Sequence, residues 1–206
     1  MENPIEALAA AFERFPGIGP RQARRFVQFL LSQNGAYRTM LADAIRGIGA
    51  ETSMCKRCYR WFPKEGGDGK LCSICGSAKR DQGLLFVIEK DADIDNVERG
   101  GYKGLYFVLG GTAPLAEEHP ERYLRAHELV RRVEADAEKG ALKELILGLS
   151  ATSEGDHTRL LLQEKLRPIA EGLGFKISSL GRGLSTGSEL EYADPDTISQ
   201  ALGNRR

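Results

Sequence analysis

No apolar run among the 206 residues approaches the length of a membrane span, so no membrane-spanning helix is expected. The opening stretch MENPIEALAA carries acids and no basic segment ahead of an apolar one. No signal peptide is therefore expected, and the chain is expected in the cytoplasm. No GxxxxGKS or GxxxxGKT stretch occurs, which disfavours a P-loop ATPase. Internal repeats and low-complexity tracts are missing as well. Formal net charge is zero, so any attraction to an anionic partner has to be local. Cysteine is scarce and confined: all four lie between residues 55 and 75.

What is present divides unevenly. Residues 1–80 carry 13 Lys and Arg against 7 Asp and Glu, whereas residues 81–206 carry 16 against 22. A basic first part joined to an acidic second part points to an anionic partner for the first. Periodicity, glycine and proline divide the chain into residues 1–53, all helical, a short basic cysteine-bearing segment at 54–80, and an α/β part from 81 to about 180. The segment 181–206 follows, and its "DPDTISQAL" reads as a capped terminal helix. In the third part "LLFVI", "GLYFVL", "ELILGL" and "FKISSL" read as strands, with helical stretches between them. The alternation predicts a mainly parallel four-stranded sheet with helices on its faces.

The stretch FPGIGPRQARRF, residues 15–26, reads as the turn and second helix of a helix–hairpin–helix. Gly17 and Gly19 permit backbone angles that other residues resist, and Pro20 suits a first helical position. Ala23, Phe26, Val27, Leu30 and Leu31 fall on one face, and Arg21, Arg24, Arg25, Gln28 and Ser32 on the other. Arginines beside a helix N-terminus suit a phosphate. Gly17, Gly19, Arg21, Arg24 and Arg25 are thus the candidate DNA-binding residues, with no means of reading bases. The alternative is a hairpin that only packs helices or meets another subunit.

Cys55, Cys58, Cys72 and Cys75 have the spacing C-x2-C-x13-C-x2-C. Two such knuckles can present four thiolates to one tetrahedral Zn²⁺; two disulfides are the alternative, disfavoured in a reducing compartment. Four protein ligands leave no position for substrate, so the ion is expected to be structural. Lys56, Arg57, Lys70 and Lys79 are expected to offset the excess negative charge, and Trp61 and Phe62 to pack over the site. In the acidic part, ligands of a parallel sheet gather beyond the strands' C-terminal ends. There Glu89, Asp91, Asp93 and Asp95 follow one strand, and Glu154 and Asp156 follow another. If neighbours, Glu89, Asp93, Glu154 and Asp156 could share a weakly held Mg²⁺. Acids at 154 and 156 could equally serve the first turn of a helix capped by Thr152 or Ser153.

The ordered set of helix–hairpin–helix, four-cysteine module, "VIEKDADIDNVE", "YKGLYFVLGG", "SEGDHT" and "GSELEYAD" resembles the bacterial recombination mediator family RecR over nearly the whole chain. The resemblance implies a Toprim domain at 81–180 and a DNA-repair accessory factor without catalytic residues. It further implies action with RecO, and RecF in many bacteria, to load RecA onto gapped DNA coated with single-strand binding protein. Assembly into dimers and ring tetramers that surround DNA is implied too. The chain departs from the family pattern in a longer segment between the cysteine pairs and in Leu149-Ser150-Ala151-Thr152, where TNPT is usual. Ser185 and Ser188 replace a usual proline and glycine. Toprim enzymes combine a glutamate after the first strand with a DxD pair. Glu89 matches the glutamate, but Ser150 and Thr152 occupy the DxD positions. A small metal-dependent nuclease or phosphotransferase using Glu89, Asp93, Glu154 and Asp156 is the competing reading.

Overall fold

A computed structural model describes residues 3–64, 69–181, 183–184, 187 and 189–203; Ser185 and Ser188 lie outside them. The chain forms two compact units, Met1–Thr52 and Ser53–Arg206.

The first unit is three helices: α1 (Pro4–Glu13), α2 (Pro20–Ser32) and α3 (Gly35–Glu51). Asn3 caps α1 by accepting from the Ile5 N–H, and Asn34 caps α3 by accepting from the Tyr37 N–H. Between α1 and α2, the Phe15 carbonyl accepts from the Ile18 N–H at 3.1 Å. Gly17 at the bend has φ +77°, a conformation open to glycine at little cost. Ala9, Ala23 and Val27 are buried, and Phe12 and Ile18 pack on them. Phe12 also meets Phe26 edge to face at 5.6 Å between centroids. Leu31, expected on the inner face, is 53% exposed, outside the cluster that Ala9, Ala23 and Val27 form. The third helix runs through Gly47 and Gly49 to Glu51.

The second unit opens within a two-stranded ribbon, β1 (Thr52–Met54) and β2 (Trp61–Pro63), whose first residue closes the helical unit. It continues as β3 (Asp81–Ile88), α4 (Asp93–Arg99), β4 (Gly104–Val108), α5 (Ala126–Glu138), β5 (Glu144–Gly148), α6 (Ser153–Leu173), β6 (Lys176–Ser179) and α7 (Pro195–Gly203). The four-stranded sheet has order β4-β3-β5-β6, and every pairing is parallel. All five residues of β4 are buried, as are Leu85–Ile88 of β3. Central strands of a parallel sheet covered on both faces require this run of apolar residues. The α6 helix starts on Thr152, whose hydroxyl accepts from the Gly155 N–H at 3.1 Å, and ends on Gly174 in the left-handed region. Gly155 has no room for a side chain: a Cβ there would lie 2.1 Å from the Ser150 carbonyl oxygen. The loop carrying residues 149–152 is therefore seated directly on the start of α6.

Candidate metal centre and nucleic-acid interface

The four cysteines converge. Cys55, Cys58, Cys72 and Cys75 are all buried, and their sulfurs lie within 4.8 Å of one another. Cys58 Sγ and Cys72 Sγ are 3.6 Å apart; about 3.8 Å is the edge of a tetrahedron with Zn–S bonds near 2.3 Å. Backbone amides point at the sulfurs: Cys72 N–H donates to Cys55 Sγ at 3.4 Å, and Cys75 N–H to Cys72 Sγ at 3.5 Å. Each knuckle closes on itself, Tyr59 N–H to the Cys55 carbonyl and Gly76 N–H to the Cys72 carbonyl, both at 2.9 Å. Tyr59 adopts φ +63° to complete the first turn, a conformation costly for a bulky residue and held here by its surroundings. Hydrogen bonds among the thiols pull Cys55 far below its ordinary range and push Cys58 far above it. A divalent cation that displaces the protons relieves this crowding. An all-sulfur, buried, four-donor set fits a soft or borderline tetrahedral metal.

The cysteine segment shares its core with the sheet. The Cys58 carbonyl accepts from the Val108 N–H at 2.8 Å, so the first knuckle hydrogen-bonds to the end of β4. Tyr59 packs edge to face on Phe107 at 5.4 Å, and Arg125 lies over the Tyr59 ring at 5.3 Å while donating to the Val108 carbonyl. Arg57, expected to offset thiolate charge, instead meets Asp136 of α5 at 3.2 Å and Gln82 at 3.1 Å. Asp136 also takes Arg132 at 2.5 Å, and Arg132 donates to the Arg57 carbonyl at 2.5 Å. Arg132 and Asp136 are buried on the stripe that Leu129 and Val133 define. The signal in the sequence is two charges at apolar positions of the helix, which the reading of the sequence missed. Trp61 does not cover the cysteines. It is 57% exposed, and Phe62 is the residue that turns inward. In a strand, successive side chains alternate, so only one of the two can face the core.

The acidic rim is dispersed into separate local contacts. Glu89 is buried, and its Oε1 accepts from the Ser150 N–H at 2.6 Å. Asp93 accepts from the Lys90 N–H at 2.9 Å, Glu154 from the Thr112 hydroxyl at 3.2 Å, and Asp156 pairs with Arg159 at 2.9 Å. Asp91 pairs with Arg60 at 3.6 Å. Among the described residues, the cysteines are the single group of three or more His, Cys, Asp or Glu with ligand atoms close enough for one ion. Ser150 Oγ and Thr152 Oγ1 are 3.0 Å apart, two hydroxyls where a DxD pair would offer carboxylates.

In the helical unit Gly19 is the N-cap of α2, with extended backbone and no side-chain cap, and Pro20 follows at the first helical position. Arg21, Arg24 and Arg25 are all exposed on the first two turns. Arg24 is engaged with Glu6 of α1 at 3.2 Å. With Gly17 and Gly19 in the turn, the helix start presents a basic surface backed by the positive end of the helix dipole.

Comparison with known proteins covers this architecture from end to end. Family models described as RecR helix-hairpin-helix, Toprim domain and RecR C-terminal match residues 5–48, 83–180 and 183–206. The Recombination protein RecR of Chloroflexus aggregans is 38% identical over 98% of this chain and 93% of its own length. That of Roseiflexus castenholzii is 35% identical over 100% and 95%. The Bifidobacterium longum subsp. infantis protein of the same name is 36% identical over 100% and 96%. The chain belongs to the RecR family of recombination proteins.

Proposed function

We propose that this chain is a non-enzymatic, DNA-binding recombination mediator of DNA repair. In this reading it acts in the cytoplasm with RecO, and with RecF where present, to load RecA onto gapped or single-stranded DNA coated with single-strand binding protein. The observation that carries the reading is the exposed arginine set on a glycine-capped helix start, with Arg21 and Arg25 beside the turn formed by Gly17 and Gly19. Such a surface grips phosphates without reading sequence. Residues 1–53 are the DNA-binding part. Cys55, Cys58, Cys72 and Cys75 in 54–80 hold one structural Zn²⁺. Residues 81–180 are the Toprim domain, and 181–206 the C-terminal segment. Self-association into a dimer or ring tetramer lets the chain encircle DNA.

Two features support the absence of catalysis. Hydroxyls stand at the DxD positions, and the Glu89 carboxylate is committed to the Ser150 amide. The rim of Asp93, Glu154 and Asp156, with Glu89 buried beside Ser150, serves to dock a basic partner, RecO, or to hold Mg²⁺ weakly. Opposite charge across an interface gives specificity and repels DNA from that edge. The test uses labelled gapped DNA coated with single-strand binding protein. This chain with RecO should accelerate RecA filament formation, and labelled DNA with Mg²⁺ or Mn²⁺ should stay intact. Cleavage that disappears in Glu89→Gln would replace the mediator with a Toprim nuclease.

A further inference from the structure

We propose that Trp61 is a stacking platform for an unpaired base of single-stranded DNA, an inference that rests on the DNA-binding reading and extends it to the form of strand recognised. Trp61 is 57% exposed, whereas the next residue, Phe62, packs into the core. Strand alternation therefore fixes the indole on the solvent side of β2, with Pro63 on the same side. Its backbone is anchored from both directions. The Trp61 N–H donates to the Asp91 carboxylate at 2.5 Å, and the Arg60 carbonyl accepts from the Cys55 N–H at 2.9 Å. A large apolar ring presented on an anchored ribbon loses little freedom when it is covered.

Charge selects the occupant. Residues 54–80 contain seven Lys and Arg and two acids; Arg57, Arg60 and Arg80 are paired with acids of the same unit, and Lys56 and Lys79 are exposed. The Lys56 N–H donates to the Lys70 carbonyl at 2.9 Å, which joins the two basic halves of the segment beside the ribbon. The carboxylate that meets the ribbon, Asp91, is matched by Arg60. An exposed aromatic in a segment that also exposes cations is the combination that holds single strands: phosphates are attracted by charge, and any base can stack because every base has a π-face. A duplex keeps its base faces inside, so the same surface favours unpaired DNA.

Trp61 is the only tryptophan of the chain, so its fluorescence reports on this contact alone. The experiment titrates full-length, metal-replete protein with oligo(dT) and with a closed-ended duplex at one salt concentration. Saturating oligo(dT) should quench the emission, and the duplex should leave it unchanged. Trp61→Ala should weaken oligo(dT) binding about tenfold without altering duplex binding, bound metal or circular dichroism, and Trp61→Phe should restore most of the affinity. Emission unmoved by bound oligo(dT), or equal affinity of Trp61→Ala and wild type, overturns the platform, including the case where only a protein partner shields the indole. The Arg21→Ala/Arg25→Ala variant separates the two levels. If it loses DNA while Trp61→Ala does not, the platform falls and the DNA-binding reading stands. If wild type binds neither ligand, both fall.

Discussion

Met1–Thr52 and Ser53–Arg206 differ most in what they bury. The helical unit has Ala9, Ala23 and Val27 as its buried apolar residues, and α3 buries none, leaving Met40, Ile45 and Ile48 exposed. The second unit gathers all four cysteines and the strands of the sheet into one core. The contrast separates the consequences of substitution. On α2, Arg21 and Arg25 are exposed and make no part of the core, which leaves them to a ligand, while Arg24 is shared with Glu6. Around the cysteines the first knuckle is tied to β4 through the Cys58 carbonyl and Tyr59, so a change at the four cysteines becomes a change in the Toprim core. A lightly packed helical unit also gains stability from whatever binds it.

The contrast breaks most visibly at the metal. Cys58→Ser removes one of the four thiols proposed to hold the metal and disturbs the carbonyl that receives the Val108 amide. The protein should bind less than one metal ion per chain and be poorly soluble, and hydrogen exchange should quicken in β3 and β4 while α1 and α2 keep their protection. Uniform loss of protection across both units would mean that they unfold as one. Asp136→Ala comes next. It strands Arg132, which is buried, and removes the anchor of Arg57. Breaking a buried pair by deleting one partner costs about 3–5 kcal/mol, measurable as a lower denaturant midpoint.

A smaller effect belongs to Glu98. The Arg80 guanidinium paired with it holds its carboxyl below the ordinary range, and the Tyr106 hydroxyl donates to it at 2.6 Å. A depressed folded-state pKa stabilises above the unfolded value, and that contribution is lost as pH falls through the folded value. Glu98→Gln should therefore cost about 1 kcal/mol at neutral pH, a hydrogen bond to a charge reduced by partial exposure. The difference should vanish in acid. A gap between wild type and variant that persisted in acid would assign Glu98 a packing role instead.

Much of the second unit is legible because its strands are continuous apolar runs. "LLFVI" and "GLYFVL" can be buried on both faces, and that is where β3 and β4 lie. The order β4-β3-β5-β6 is not legible, since pairing depends on crossovers that local pattern does not encode. The cysteine spacing announces the convergence of four sulfurs; it cannot say that the knuckle hydrogen-bonds to β4. The size of Trp61 suggests burial, whereas alternation along β2 gives the inward position to Phe62. The rim acids look like one cluster because they follow neighbouring strands. Glu89, Asp91, Asp93, Glu154 and Asp156 have instead local partners (an amide, a hydroxyl or an arginine) that only the folded loops supply. Arg132 and Asp136 escape notice because an i, i+4 pair on a helix usually faces solvent; here it lies on the buried stripe.

DNA binding by the helical unit is the claim on which the functional account turns, and the salt dependence of affinity tests it most directly. Binding to gapped DNA of wild type, Arg24→Ala and Arg21→Ala/Arg25→Ala is measured across a range of salt. The double variant should bind more weakly on every sequence, with a log–log salt slope shallower by about 0.7–0.9 for each phosphate that is no longer neutralised. Bound metal and oligomer mass should be unchanged. Arg24→Ala should change affinity less, because Arg24 already shares its charge with Glu6. A double variant that matches wild type in affinity and slope would contradict the account, making α2 a scaffold and moving the DNA surface to the basic cysteine segment.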